Sequence, residues 1–249
     1  MKWRQIIGVA SFAMLAAGLE AEPLPRGDCQ SPKPFHDYRH CSFNGRSFAA
    51  ANLQGSWLQG VDLQNARLPD CNLNGAMLNK ADLKWAQLSG CRAEAADFSE
   101  ADLFHTNLDD TLLQRAVFIK ANLFGASLNN VEAAGADFSQ AHLKDISMEQ
   151  SRLTGSRFDR AFMLRAVLIE SDLTESSLRQ VVLTGAALEQ TDFTGADLSG
   201  SLLNGTTLTQ TRFRRARLTG TRFVNARMVA VDFEAAIDIP GDLPANLTD

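Results

Sequence analysis

From Phe43 onward every fifth residue is apolar, and the register holds without a break to Phe233. These thirty-nine positions hold 24 Leu, 10 Phe, 3 Met and 2 Ala, with no polar residue among them. Two residues before each lies a second apolar or small position, as at Ala51, Ser56, Val61, Ala66, Cys71, Ala76 and Ala81. The intervening positions are mostly polar. A period of five fits neither the 3.6 of a helix nor the 2 of a flat strand, so the pattern predicts a repeat architecture. A domain boundary would interrupt the step, so one elongated domain is expected.

The residue between the small and the large position is often Asp or Asn. Examples are Ala51-Asn52-Leu53, Ala81-Asp82-Leu83, Ala101-Asp102-Leu103, Ala121-Asn122-Leu123 and Ala196-Asp197-Leu198. In this the chain resembles the pentapeptide-repeat family, whose units follow A-(D/N)-L-x-x, and the resemblance covers about four-fifths of its length. Departures are mild: Arg46 at a small position, and Ala93 and Ala133 at centres. The resemblance implies an all-β fold, a right-handed quadrilateral β-helix with four units to a coil and about ten coils. Strand spacing of about 4.8 Å then gives a rod of roughly 45–50 Å. The expected organisation is a signal peptide over 1–21, an N-terminal cap segment over 22–40, the β-helix over 41–237 and a C-terminal cap or tail over 238–249.

With four units to a coil, residues twenty apart stack. Phe98, Phe118, Phe138 and Phe158 then form one buried column, and Phe193, Phe213 and Phe233 a second on the preceding wall. Ala93 and Ala133 fall in the coils of Phe98 and Phe138, a small residue offsetting a large one.

At the N-terminus a short basic segment, Met1 to Gln5, precedes an apolar run from Ile6 to Leu19. This reads as an export signal cut after Gly18 or Ala21; a retained anchor is the alternative, although a span needs about 20 residues. The mature chain is then exported, periplasmic or secreted, with no membrane span after cleavage. Pro23, Pro25, Pro32 and Pro34 forbid a long helix in the cap, where Cys29, His36, His40 and Cys41 crowd together. Export favours a Cys29–Cys41 disulfide, and a zinc site of two Cys and two His is the competing reading. Cys71 and Cys91 occupy stacked small positions and read equally as a disulfide or as two buried thiols. No cofactor or metal is expected.

Outward positions are mostly polar on three walls. The wall centred on Leu63, Leu83, Leu103, Leu123, Leu143 and Met163 differs: its outer face carries Trp85, Phe104, Phe124, Phe162 and Leu164, then Val182, Leu202 and Val224. Lys84, His105, His142, Lys144 and Arg165 fringe this stripe, and Asp62, Asp82 and Asp102 stack beside it. A contiguous apolar column points to an interface, for an unidentified protein partner, self-association or an apolar ligand, unless the cap folds over it.

Formal net charge is −5, too mild to suggest a nucleic-acid binder, and no nucleic acid is expected as a partner. The charge is nevertheless uneven. Ten acids lie between Glu94 and Ser151, whereas Arg212, Arg214, Arg215, Arg217, Arg222 and Arg227 form a basic collar near the C-terminal end. The collar is either a solvated end or a contact for an anionic surface. Catalytic motifs are missing: there is no HExxH, nucleophile elbow or phosphate loop, and the four His are scattered. The sequence therefore points to a non-enzymatic, exported interaction scaffold. Some pentapeptide-repeat proteins mimic a DNA duplex and bind a topoisomerase such as DNA gyrase, which is the alternative the resemblance supplies.

Overall fold

Each pentapeptide builds one short extended segment and one corner. In the unit centred on Leu63, Leu63 N–H donates to Asp82 O at 2.7 Å, and Asp82 N–H donates back to Val61 O at 3.0 Å. Residues twenty apart thus pair in parallel, as in Asn52–Asn72–Arg92–Leu112. At one place the pairing lengthens into two strands, β1 (Thr207–Thr209) and β2 (Arg227–Val229), parallel with Thr207 opposite Arg227. The corner closes with Ala66 N–H donating to Leu63 O at 3.0 Å. Asn65 between them has φ 55, the left-handed conformation that a type II turn needs at its third residue. This computed structural model describes residues 23–241 and 243; the expected signal peptide lies outside them, as do residues 244–249.

The Asp or Asn of each unit has a structural task. Asp62 Oδ1 accepts from Gln64 N–H at 3.1 Å, and Asp102 Oδ1 from Phe104 N–H at 3.2 Å. A short carboxylate or amide caps the turn that follows it, which an apolar side chain at that position could not do.

Four such units close one coil of a right-handed quadrilateral β-helix. The centre and small residues point inward and form one continuous core along the rod. Inward Ser and Thr remain satisfied because each hydroxyl finds a backbone carbonyl, as Thr106 Oγ1 does with Leu83 O at 2.7 Å. The expected phenylalanine ladder is present and fully buried. Phe98, Phe118, Phe138 and Phe158 stack at 4.8, 4.8 and 4.9 Å between ring centroids, within 5° of parallel. Phe193, Phe213 and Phe233 repeat the arrangement at 5.2 and 5.3 Å.

The regular coils begin one unit earlier than the step from Phe43 indicates. Residues 36–40 form a full pentapeptide with Tyr38 at its centre, completely buried, and Asp37 pairing in parallel with Trp57. Beneath it, Arg26 pairs with Asp37 and covers the open backbone edge. The Tyr38 hydroxyl donates to Lys33 O at 2.9 Å and accepts from Lys33 N–H at 2.6 Å. Cys29 is bonded to Cys41, with Cα atoms 5.7 Å apart, and ties this cap to the first coil. Cys71 is bonded to Cys91 across stacked coils, Cα atoms 4.5 Å apart, so the two readings of that pair resolve to the disulfide. At the other end Ile237 pairs with Arg217, and Leu243 packs against the core.

Candidate interaction surface

Trp85, Phe104, Phe124 and Phe162 come together on one wall, and two histidines complete the column. Phe104 is the second residue of its turn and Trp85 the third in the coil before, so their rings project from adjacent tracks and meet edge to face at 5.2 Å. Phe104 and Phe124 share a track and stack at 5.3 Å, 9° from parallel. His105 lies flat on the Trp85 indole at 4.6 Å and 6°. His142 carries the column from Phe124, at 6.1 Å, to Phe162, at 5.4 Å. The aromatic column so spans five consecutive coils, about 19 Å at strand spacing. Val182 and Leu202 extend it by parallel pairing below Phe162. Leu164, also expected in the stripe, sits half-buried one track away on the coil of Phe162.

His105 and His142 stand inside the column, whereas the sequence reading put them at its fringe. Their place was legible in the register: His105 is twenty residues from Trp85, and His142 is twenty residues from Phe162. A further determinant is Gly125. A Cβ built there would come within 2.5 Å of the His105 ring, so the bare corner is the floor on which the imidazole rests.

Charged residues flank the column and are largely satisfied among themselves. Lys84 Nζ bridges Asp82 and Asp102 at 3.1 Å each, and these hydrogen bonds, Asp82 first, raise its pKa. Arg165 grips Asp145 through two hydrogen bonds of 2.6 Å, holding that carboxyl below its ordinary pKa. Lys144 Nζ stands 5.2 Å above the Phe124 ring, an attraction between cation and π face. Trp85 is 49% exposed and the three phenylalanines are half-buried. An apolar strip with a polar rim is the anatomy of a protein interface. The cap does not cover it. Among the described residues, 23–35 pack on the first coil instead, where the Phe35 ring lies over Gly55 and Cys29 O and Gln30 Oε1 accept from Arg46.

The acidic stretch is less bare than its sequence suggests. Of its ten acids, Glu94, Glu100, Asp102, Glu132, Asp137 and Asp145 pair with Arg92, Lys80, Lys84, Arg152, Arg157 and Arg165. The Arg collar is real but divided. Arg212 pairs with Asp192 at 3.5 Å, and Arg214 with Asp232 and Glu234. Arg215, Arg217, Arg222 and Arg227 are exposed and form no ion pair among the described residues. Asp192, Arg212, Arg214, Arg215 and Glu234 together line an open groove of about 540 Å³.

The fold defines the class: a pentapeptide solenoid with a rigid, four-sided outer surface. Sequence profiles agree. The profile described as pentapeptide repeat region matches residues 61–138, and that of pentapeptide repeats (8 copies) matches 134–168, 163–200 and 196–234. The chain belongs to the pentapeptide-repeat family. No curated protein sequence matches it. Among solved structures it is similar to HetL, a pentapeptide repeat protein involved in heterocyst differentiation regulation from the cyanobacterium Nostoc sp. strain PCC 7120. That likeness has 24% identity and a TM-score of 0.50, covering 94% of this chain and 97% of HetL. Full-length QnrB1, a plasmid-mediated fluoroquinolone resistance protein, is 20% identical with a TM-score of 0.47, over 75% of this chain and 93% of its own. A thylakoid-lumen pentapeptide repeat protein of Arabidopsis thaliana is 26% identical with a TM-score of 0.30, over 44% of this chain and 68% of its own. These likenesses are of fold.

Both disulfides belong to a chain that folds in a non-reducing environment. Among the described residues no helix is long and apolar enough to cross a membrane.

Proposed function

We propose that this chain is a non-enzymatic, exported scaffold that binds a protein partner along the column Trp85–Phe104–Phe124–Phe162. The column is continuous, with six stacked or edge-on rings across five coils on the outer face of one wall, flanked by neutralised charges. Single exposed hydrophobes are ordinary on a protein surface, but an aligned series gives a partner a rigid strip whose rings are already held in place. Export is supported by the N-terminal sequence and by the disulfides.

The non-enzymatic reading rests on the placement of titratable groups. The four described His lie in the first repeat unit beside the cap (His36, His40) or stack on aromatic rings (His105, His142), rather than facing carboxylates in a dry cleft. The duplex-mimic alternative asks for a run of free negative charge, and six of the ten acids are ion-paired.

A photo-crosslinking residue at position 104, introduced in the producing cell, tests the proposal. A protein adduct on a shortened chain outside the cytosol is the expected outcome. Uncleaved cytosolic protein without an adduct would return the duplex mimic to first place.

A further inference from the structure

Three donor atoms converge at the N-terminal cap: Cys29 Sγ, Cys41 Sγ and His40 Nε2, all within 4.8 Å of one another. The imidazole nitrogen stands 3.7 Å from one sulfur and 3.6 Å from the other. Tetrahedral zinc, with bonds of about 2.3 Å to sulfur and about 2.0–2.1 Å to nitrogen, sets its sulfur and nitrogen ligands about 3.5 Å apart. His40 therefore already occupies nearly the position of a third ligand to both sulfurs. His36 is not part of this group: its Nδ1 donates to Pro34 O at 2.8 Å, and the four-ligand site expected as an alternative reduces to three.

We propose that Cys29, His40 and Cys41 form a Zn²⁺ site that is masked by the Cys29–Cys41 disulfide and opens on its reduction. A dithiol reductant supplies two electrons and two protons. The Cys29–Cys41 bond breaks into two thiols, and the reductant closes to its own disulfide. Zinc then displaces the two thiol protons to the solvent and binds two thiolates and the neutral imidazole. Two negative sulfurs balance the dication, so the nearby Arg46 guanidinium, hydrogen-bonded to Cys29 O at 2.7 Å, meets a centre without net charge. His40 is exposed, which leaves the fourth coordination position to water.

The two disulfides differ in access. Cys71 and Cys91 are fully buried, whereas Cys29 is half-exposed, so a reductant acting on the folded chain reaches Cys29–Cys41 first. The site then forms with the rod intact. It holds a borderline-soft ion of zinc's kind because the donor set is two thiolates and an imidazole, with no carboxylate in it.

The test is zinc titration of the full mature chain against a chromophoric chelator, before and after treatment with a dithiol that is then removed. The reduced chain is expected to hold one zinc, and the oxidised chain none. Cobalt in place of zinc should show sulfur-to-metal charge transfer. His40→Ala, a change at an exposed side chain that leaves the fold alone, should weaken binding at least roughly tenfold. The double variant Cys71→Ala with Cys91→Ala should retain one zinc. A reduced chain that holds no zinc overturns the proposal, as does a His40→Ala variant that binds as tightly as wild type. Binding that disappears with Cys71 and Cys91 would equally overturn it.

Discussion

Tyr38 closes the rod against Gly27: a Cβ built on that glycine would fall 2.1 Å from the tyrosine ring. The ring fills the first coil's axis and meets Phe43 edge to face at 5.8 Å, while its hydroxyl is tied to the Lys33 backbone on both sides. Tyr38→Ala should therefore cost about 3–5 kcal/mol. Tyr38→Phe, which keeps the ring and loses the hydroxyl, should cost about 1 kcal/mol. Gly27→Ala should also destabilise the cap, because the ring it strikes has no room to retreat. Urea denaturation read by near-ultraviolet circular dichroism separates these cases; equal midpoints for all four chains would mean that Tyr38 does not plug the end.

The ladder Phe98–Phe118–Phe138–Phe158 runs beside a wall that alternates Ala93, Leu113, Ala133 and Leu153. The two alanines leave space into which the neighbouring rings and leucines settle. Ala133→Leu installs the residue most common at repeat centres, yet it should destabilise by about 1–3 kcal/mol through overpacking. Phe118→Ala should cost about 3–5 kcal/mol. A stabilised Ala133→Leu variant would show that the alternation has no packing role.

Asp37 gives the first coil a pH dependence. The Arg39 guanidinium donates to both carboxylate oxygens at 2.9 and 2.7 Å and holds the Asp37 pKa down at about 2, from an ordinary 3.8. A lowered carboxylate pKa stabilises the folded state above the ordinary value and loses that effect as pH falls towards about 2. The melting temperature of wild type should thus exceed that of Asp37→Asn at pH 7, with the gap closing between pH 4 and pH 2. A gap that stays constant across that window would contradict the ion pair's part in it.

Gly125 keeps His105 on the Trp85 indole. The ring protons of His105 should be shifted upfield by the indole face in the nuclear magnetic resonance spectrum. Gly125→Ala should remove most of that shift, as Trp85→Ala removes all of it, with the rest of the spectrum little changed. Gly125→Ala would leave the shift in place if the corner were not the imidazole's floor.

Much of this molecule was legible in its residues because the step of five fixes direction as well as position. Once Leu63, Leu83 and Leu103 are known to stack, the inward Phe ladder and the outward Phe104–Phe124 pair follow from counting by twenty. What the count misses lies where side chains lean across tracks. Trp85 reaches across to Phe104 in the next coil, and His142 leans from the track it shares with Phe162 to Phe124. Tyr38 was hidden for a different reason. Its unit, His36 to His40, has a histidine where a small residue is usual, and it sits among prolines that read as irregular cap. The ion pairs that quiet the acidic stretch join residues such as Asp145 and Arg165, twenty apart, which a linear charge count treats as separate blocks.

A binding surface on the aromatic column must fail when charge is placed in it, while an outer decoration of the rod would not. Phe104→Asp with Phe124→Asp places two charges in the middle of the strip while leaving the inward centres Leu103 and Leu123 untouched. Capture of partner protein by the tagged chain, compared between wild type and this double variant and paired with melting curves, is the most direct measurement. Loss of the captured protein with a melting temperature near wild type is the expected result; undiminished capture by the double variant would contradict it.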